Sequence, residues 1–382
     1  MTDLSNFFAG RTEQMVAFLE QLVLMESPTS SKEHVDRLGD FIAQECRVLG
    51  AEIAVYPQED VGDFRVAVWN QNAPGKPILL LCHLDTVWPV GTLETMPFRR
   101  DDERLYGPGV IDMKAGIAIS LEAIRGLVER GELPNRPIWI AFNGDEETGS
   151  KNTRVVIHEL AAQVGLVLVM EPAAPGGGLK TWRKGMARYT IRVVGRASHA
   201  GNAPEAGINA VTEAAHQALY LHKLNDYQNG TSVSVTTMRA GVASNVIPPE
   251  AVMDVDVRFL KASEAERVER AIRQLSPVLP GAQVVVEGGI DRGPMERDDQ
   301  MIRAFQQAQN IGLSVGLQLF EEGSGGGSDG NFTAAMGIPT LDGMGADGTG
   351  LHAAHEQVVI RSLPQRAAFL AKMLTDWDMD AV

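Results

Sequence analysis

The chain has 382 residues, 44% apolar and 22% charged, with a formal net charge of −15. Its length exceeds one ordinary core, so two domains of a globular protein are the starting expectation. The acidity, with no lysine- or arginine-rich block, argues against nucleic acid and anionic membranes as partners.

No apolar run approaches a membrane span, and MTDLSNFFAGRTEQ lacks the charged-then-apolar pattern of a secretion signal, so the cytoplasm is the expected compartment. Cys46 and Cys82 make no disulfide framework, and Cys82, in a predicted core strand, reads as a small buried hydrophobe. Residues 11–25 have helical spacing, with Met15, Phe18, Leu19 and Leu22 on one face, and 32–48 form a second amphipathic helix. Strands are predicted over 52–57 and 64–70, then Pro74–Pro77 turns the chain into the apolar run Ile78–Leu81. A short hairpin over 97–106 precedes a helix over Ala115–Arg130 that Gly131 closes. Two further apolar runs, Ile138–Phe142 and Gly165–Met170, flank a helix near 151–163. This βαβ order predicts an α/β fold with a mixed, mostly parallel sheet and helices on both faces.

The rhythm changes after Pro172–Gly178. Strand 186–195, helix 207–223, strands 231–240 and 251–259, helix 263–275 and strand 282–289 give βαββαβ, a ferredoxin-like arrangement. It is placed at 184–292 as an inserted domain, with 1–183 and 293–382 forming the other. Helix 298–312, a glycine-rich loop at 323–330, helix 331–336, strand 338–341 and helix 362–376 complete the larger domain. The glycine-rich loop is read as a tight active-site loop rather than a linker, because ordered elements flank it closely.

Four apolar runs lead into metal-type ligands. Ile78–Leu81 leads to His83 and Asp85, Ile138–Phe142 to Glu146 and Glu147, Gly165–Met170 to Glu171, and Ile338–Leu341 through a glycine-rich loop to His352 and His355. Sites of open α/β sheets lie beyond the carboxyl ends of the strands. Asp112, in GPGVIDMKAG, falls in the loop after the first run. His83, Asp112, Glu147, Glu171 and one of the two late histidines make two sites of one His and one Glu each, sharing Asp112. Imidazole with carboxylates suits zinc, with cobalt or manganese as substitutes. Two such ions acidify water and polarise a carbonyl. Glu146, beside a ligand but pointing elsewhere, suits a general base, and Asp85 can orient the second nitrogen of His83.

The strings HLDTV (83–87), GPGVIDMKAG (107–116), NGDEETGS (143–150), MEPA (170–173) and the His352 loop resemble the co-catalytic zinc peptidase and deacylase family, which includes aminoacylase, acetylornithine deacetylase, succinyl-diaminopimelate desuccinylase and glutamate carboxypeptidase. The resemblance covers nearly the whole chain. It implies that one metal takes His83 and Glu171 and the other Glu147 and His352, with Asp112 bridging, and that a cis peptide follows Asp112. His352 is favoured over His355 because Glu356 follows it by four residues. GRASHAG (195–201) resembles the family's lid motif, which implies that His199 reaches a neighbouring subunit's site in a homodimer formed through the inserted domain. ASNVIP (243–248) and the strand end at Arg258 also match lid positions, so Asn245, Arg258 and Arg292 are expected to hold a substrate carboxylate, with Gly327 in the glycine-rich loop.

HLDTVWPVGT, PFRRDDERLYGPGVIDMKAG and PEAGINA are nearest the glutamate carboxypeptidase branch, whereas GADGTGLHAAHE (345–356) departs from its usual loop. The resemblance implies hydrolysis of an N-acyl or peptidyl substrate with release of a C-terminal, acidic amino acid. The rival enzyme is an N-acyl-amino-acid deacylase or dipeptidase with the same metals. A non-catalytic binding protein on this fold would be expected to lose ligands or the base, and here all six positions are filled.

Overall fold

Strands 78–83, 138–143 and 166–169 consist almost wholly of buried apolar residues, as strands covered on both faces must. The structure is a computed structural model and describes residues 3–382. Its larger sheet has six strands in the order 52–56, 64–69, 138–143, 78–83, 166–169, 340–341. The last four run parallel, while 64–69 and 52–56 pair antiparallel at one edge. Side-chain alternation sends Leu79, Leu81, Ala141, Val167 and Val169 to one face, where they pack with Ile157, Leu160 and Phe332 from helices 154–161 and 330–335. On the other face Cys82 Sγ lies 3.8 Å from Ser120 Oγ of helix 115–130. The expected mixed, mostly parallel sheet with helices on both faces is therefore present.

Contacts divide the chain into two compact units: residues 1–182, 297–324 and 328–382 form one, and 183–296 with 325–327 the other. The smaller unit runs strand, helix, strand, strand, helix, strand, and its antiparallel sheet has the order 232–240, 250–259, 185–194, 283–292. Helices 210–222 and 262–273 share with that sheet a separate core around Ile191, Met253, Val257, Phe259 and Ile272. Asn209 caps the first of these helices by accepting from the amides of Val211 and Thr212.

Several elements were not expected. A helix spans Asp3–Ala9. Short strands at 348–349 and 357–359 join the 99–106 hairpin in a second small sheet. The start of the glycine-rich segment is itself a strand, 321–324, paired with 179–183. Gly323 is required there, because a Cβ would stand 1.7 Å from the Trp182 ring. Among the described residues no helix is long and apolar enough to cross a membrane.

The amino end of helix 115–130 presses on the end of strand 166–169. A Cβ at Gly116 would meet the Met170 carbonyl oxygen at 2.0 Å, and that backbone cannot retreat without carrying Glu171. Gly116→Ala is expected to cost about 1–3 kcal/mol of stability, as overpacking does, read as a shift in the denaturant midpoint against wild type.

Candidate metal centre

Every expected ligand sits on a segment leaving the carboxyl end of a strand or in a loop beside it. His83 ends its strand, Glu146–Thr148 form one 3-10 turn after Asn143, and Glu171 follows Val169 by two residues. Asn143 Oδ1 shapes that turn by accepting from Asp145 N at 3.1 Å and Thr153 Oγ1 at 2.8 Å. Asn143 Nδ2 in turn donates to Ser150 Oγ at 2.9 Å and to Asp329 Oδ2 at 2.7 Å.

Asp85 caps the same turn. Its Oδ1 accepts from Glu146 N and its Oδ2 from Glu147 N, both at 3.1 Å, and Thr29 Oγ1 donates to Oδ2 at 2.7 Å. The same residue also stands beside His83. The Nδ1 of His83 lies 2.9 Å from the main-chain carbonyl of Asp85 but 3.4 Å from its carboxylate, which the two turn amides already engage. With Nδ1 as donor to that carbonyl, Nε2 presents its lone pair to the centre.

Asp112 lies in the irregular turn Val110–Lys114, and the Asp112–Met113 peptide is cis. Its Oδ1 is 3.2 Å from His83 Nε2 and its Oδ2 3.2 Å from His352 Nε2. Glu171 Oε1 lies 3.5 Å from the same His83 nitrogen, and Glu147 Oε2 3.2 Å from the same His352 nitrogen. One carboxylate thus stands between two His–Glu pairs. His352 takes a left-handed backbone (φ 57°), uncommon for a residue with a Cβ, and its side chain is 51% exposed. His355 is exposed on the same loop.

These residues fit a zinc pair. Neighbouring ligands around tetrahedral zinc with bonds of about 2.0–2.1 Å stand about 3.3 Å apart. Glu147 Oε1 is buried without a hydrogen-bond partner, an acceptor that a cation would satisfy. Burial works to raise the Asp112 carboxyl, but the two imidazoles outweigh it and hold the group well below the usual carboxylate range. Hydrogen bonds to Asp112 and then Glu147 push His352 up to about 10. Burial opposes protonation of His83, yet Asp112, Asp85 and Glu171 raise it well above an ordinary imidazole. Glu147 is raised, first by burial and also by the Asp112 charge. The carboxylates of the cluster therefore favour positive charge at its two imidazoles.

Ligand-type atoms of His83, Glu146 and Glu171 lie within 4.8 Å of one another, so Glu146 stands against one half of the centre. Asp329, buried at the end of the glycine-rich loop, lines a small cavity with Glu146 and Glu171. Sequence reasoning gave no role to Asp329 or Thr29, and took Glu356 only as a marker for His352. Its four-residue spacing from His352 was the available signal.

The remaining expected residues belong to the smaller unit. His199 is exposed on a two-residue strand paired with Val246–Ile247, and Ala200 N donates to Asn245 O at 2.9 Å, which brings His199 and Asn245 together. His199 Nδ1 accepts from Gly201 N at 3.1 Å and Asn202 N at 3.0 Å, so Nε2 carries the proton of the neutral ring. Arg258 is paired within its own strand. Its Nε and Nη2 already donate to the two oxygens of Asp256 at 2.8 and 3.0 Å, because residues two apart on a strand share a face. Arg292 is buried at the end of strand 283–292, and the Gly327 carbonyl accepts from Arg183 Nη1 at 3.3 Å.

Known proteins show the family. The chain matches Peptidase family M20/M25/M40 over residues 79–376. It is 32% identical to carboxypeptidase G2 of Pseudomonas sp. (strain RS-16), over 97% of this chain and 91% of that protein. It is 30% identical to succinyl-diaminopimelate desuccinylase of Verminephrobacter eiseniae (strain EF01-2), over 75% of each. Aminopeptidase PepT from Bacillus cereus ATCC 10987 shares the fold, with a TM-score of 0.77 at 21% identity over 95% of this chain and 98% of that one. The matched span takes in every strand end that presents a ligand, and the chain is a hydrolase of peptidase family M20/M25/M40.

Proposed function

We propose that the chain is a dizinc carboxypeptidase-like amidohydrolase that releases a C-terminal, glutamate-like amino acid from an N-acyl or peptidyl substrate. The observation that carries this reading is Asp112 standing between two His–Glu pairs, with Glu146 against one of them. His83, Glu171 and Asp112 would hold one zinc, and Glu147, His352 and Asp112 the other, with cobalt or manganese as substitutes. When bound, the ions acidify a water and polarise the scissile carbonyl.

Glu146 takes the proton of the attacking water and returns it to the leaving nitrogen. Asp85 holds the amides of Glu146 and Glu147 and so sets base and ligand in one register. His199 Nε2–H serves as a donor to the oxyanion that forms, supplied to the neighbouring subunit's site in a homodimer built through the smaller unit. Asn245, Arg292 and Gly327 bind the substrate, with Arg258 joining once its guanidinium exchanges Asp256 for the substrate carboxylate. Release of a C-terminal residue accords with similarity to a carboxypeptidase. A second reading, N-acyl-amino-acid deacylation at the same centre, draws on similarity to the desuccinylase.

Glu146→Gln is expected to keep two zinc ions per chain by elemental analysis while kcat falls about 10²–10⁴-fold, the usual worth of a general base. Loss of zinc in that variant would make Glu146 a ligand instead. Among N-acyl and dipeptide substrates differing only in the terminal residue, glutamate should be preferred, and converting its free carboxylates to carboxamides should lower kcat/KM by at least about tenfold. Equal turnover of acid and amide would rule out the carboxylate clamp. Mixing Glu146→Gln with His199→Ala under subunit exchange should restore activity, because one site of each mixed dimer then has both groups. No recovery in a dimer verified by sedimentation would place His199 outside the partner's site.

A further inference from the structure

Glu356 has no part in the chemistry above, yet it is fully buried and accepts an unusual set of hydrogen bonds. Its Oε1 takes Ile111 N at 3.0 Å and Asp112 N at 3.2 Å. Its Oε2 takes Gly109 N at 2.9 Å and Trp88 Nε1 at 2.7 Å. One side chain therefore joins three segments that carry ligands: the loop after His83, the turn that bears Asp112, and its own loop, which bears His352.

The turn at 109–112 cannot satisfy these amides itself. Gly109 is left-handed (φ 71°), and the backbone at Asp112 and Met113 leaves helical geometry, so the N–H groups converge on one point. A carboxylate there accepts all of them, as anions do in backbone nests. Lys114, buried in the same turn, is near enough to act on Glu356 electrostatically, and its Nζ donates to Met25 O at 2.8 Å.

We infer that Glu356 is a positioning residue for the metal pair: by holding the amides of Gly109, Ile111 and Asp112 from the loop that presents His352, it sets the distance between the bridging carboxylate and the histidine. The inference rests on the dizinc reading. A carboxylate that only satisfied loop amides would support folding and leave zinc affinity unchanged. Glu356→Gln keeps the shape but turns one acceptor into a donor facing the same amides. Glu356→Asp keeps the charge opposite Lys114 and draws it back by one methylene.

The test is competition of each protein with a fluorescent chelator for zinc, beside kcat and KM at limiting and excess zinc. Wild type should take up two ions, and failure to do so would remove the dizinc reading rather than this inference alone. Both variants should bind at least one zinc about 10–100-fold more weakly, the usual effect of losing support behind a ligand. Their activity loss should lie in kcat and be relieved by excess zinc. A folded variant that holds both ions with wild-type affinity would overturn the inference, whatever its Tm. Hydrogen exchange on the unmodified protein gives a check independent of the variants. The amides of 109, 111 and 112 should be protected before zinc is added, and protection that appears only with zinc would show that the ions, not Glu356, organise the turn.

Discussion

The constraint on which this architecture depends is a concentration of acidic groups in a poorly solvated place. Asp112 and Glu171 are buried, Glu147 has a buried oxygen with no partner, and Glu146 stands within a few ångströms of His83 and Glu171. Carboxylates so close repel one another strongly where water screens little. Positive charge at the two imidazole nitrogens, or at cations, is what makes the arrangement tolerable. The rest of the larger unit acts to keep these groups together. Parallel strands deliver His83, Glu147 and Glu171 to one rim, Asp85 caps the turn carrying Glu146, and close glycine contacts hold the backbone around Met170 and Glu171.

Much of this was legible before any coordinates. Runs such as Ile78–Leu81 and Gly165–Met170 declare buried strands by lacking alternation, and the first polar residue after such a run falls at the functional rim. The elements of the smaller unit were equally readable, because its nine- and ten-residue strands and amphipathic helices show full periods. What escaped was short or non-local. Strands 348–349 and 357–359 are too brief to have a period, and their pairing to residues 104–106 closes across a long stretch of chain. No sequence pattern says that the Asp85 carbonyl, at 2.9 Å, stands nearer His83 Nδ1 than the Asp85 carboxylate, at 3.4 Å. Arg258 shows the same limit: a free guanidinium in sequence is a paired one once Asp256 shares its strand face.

The site also divides its tasks unevenly. His83 is almost fully enclosed, whereas the side chain of His352 is half exposed on a loop rich in glycine. The enclosed half has its imidazole tautomer set by a main-chain carbonyl, a partner that no side-chain substitution removes.

The order of the ligands along the chain has a consequence for assembly. His83, Asp112, Glu147 and Glu171 all precede the smaller unit, whereas His352 follows it. During synthesis, the ribosome releases every donor of the first half while the second still lacks its imidazole. The cluster around Asp112 is complete only when the returning carboxy-terminal segment brings His352 beside Glu147.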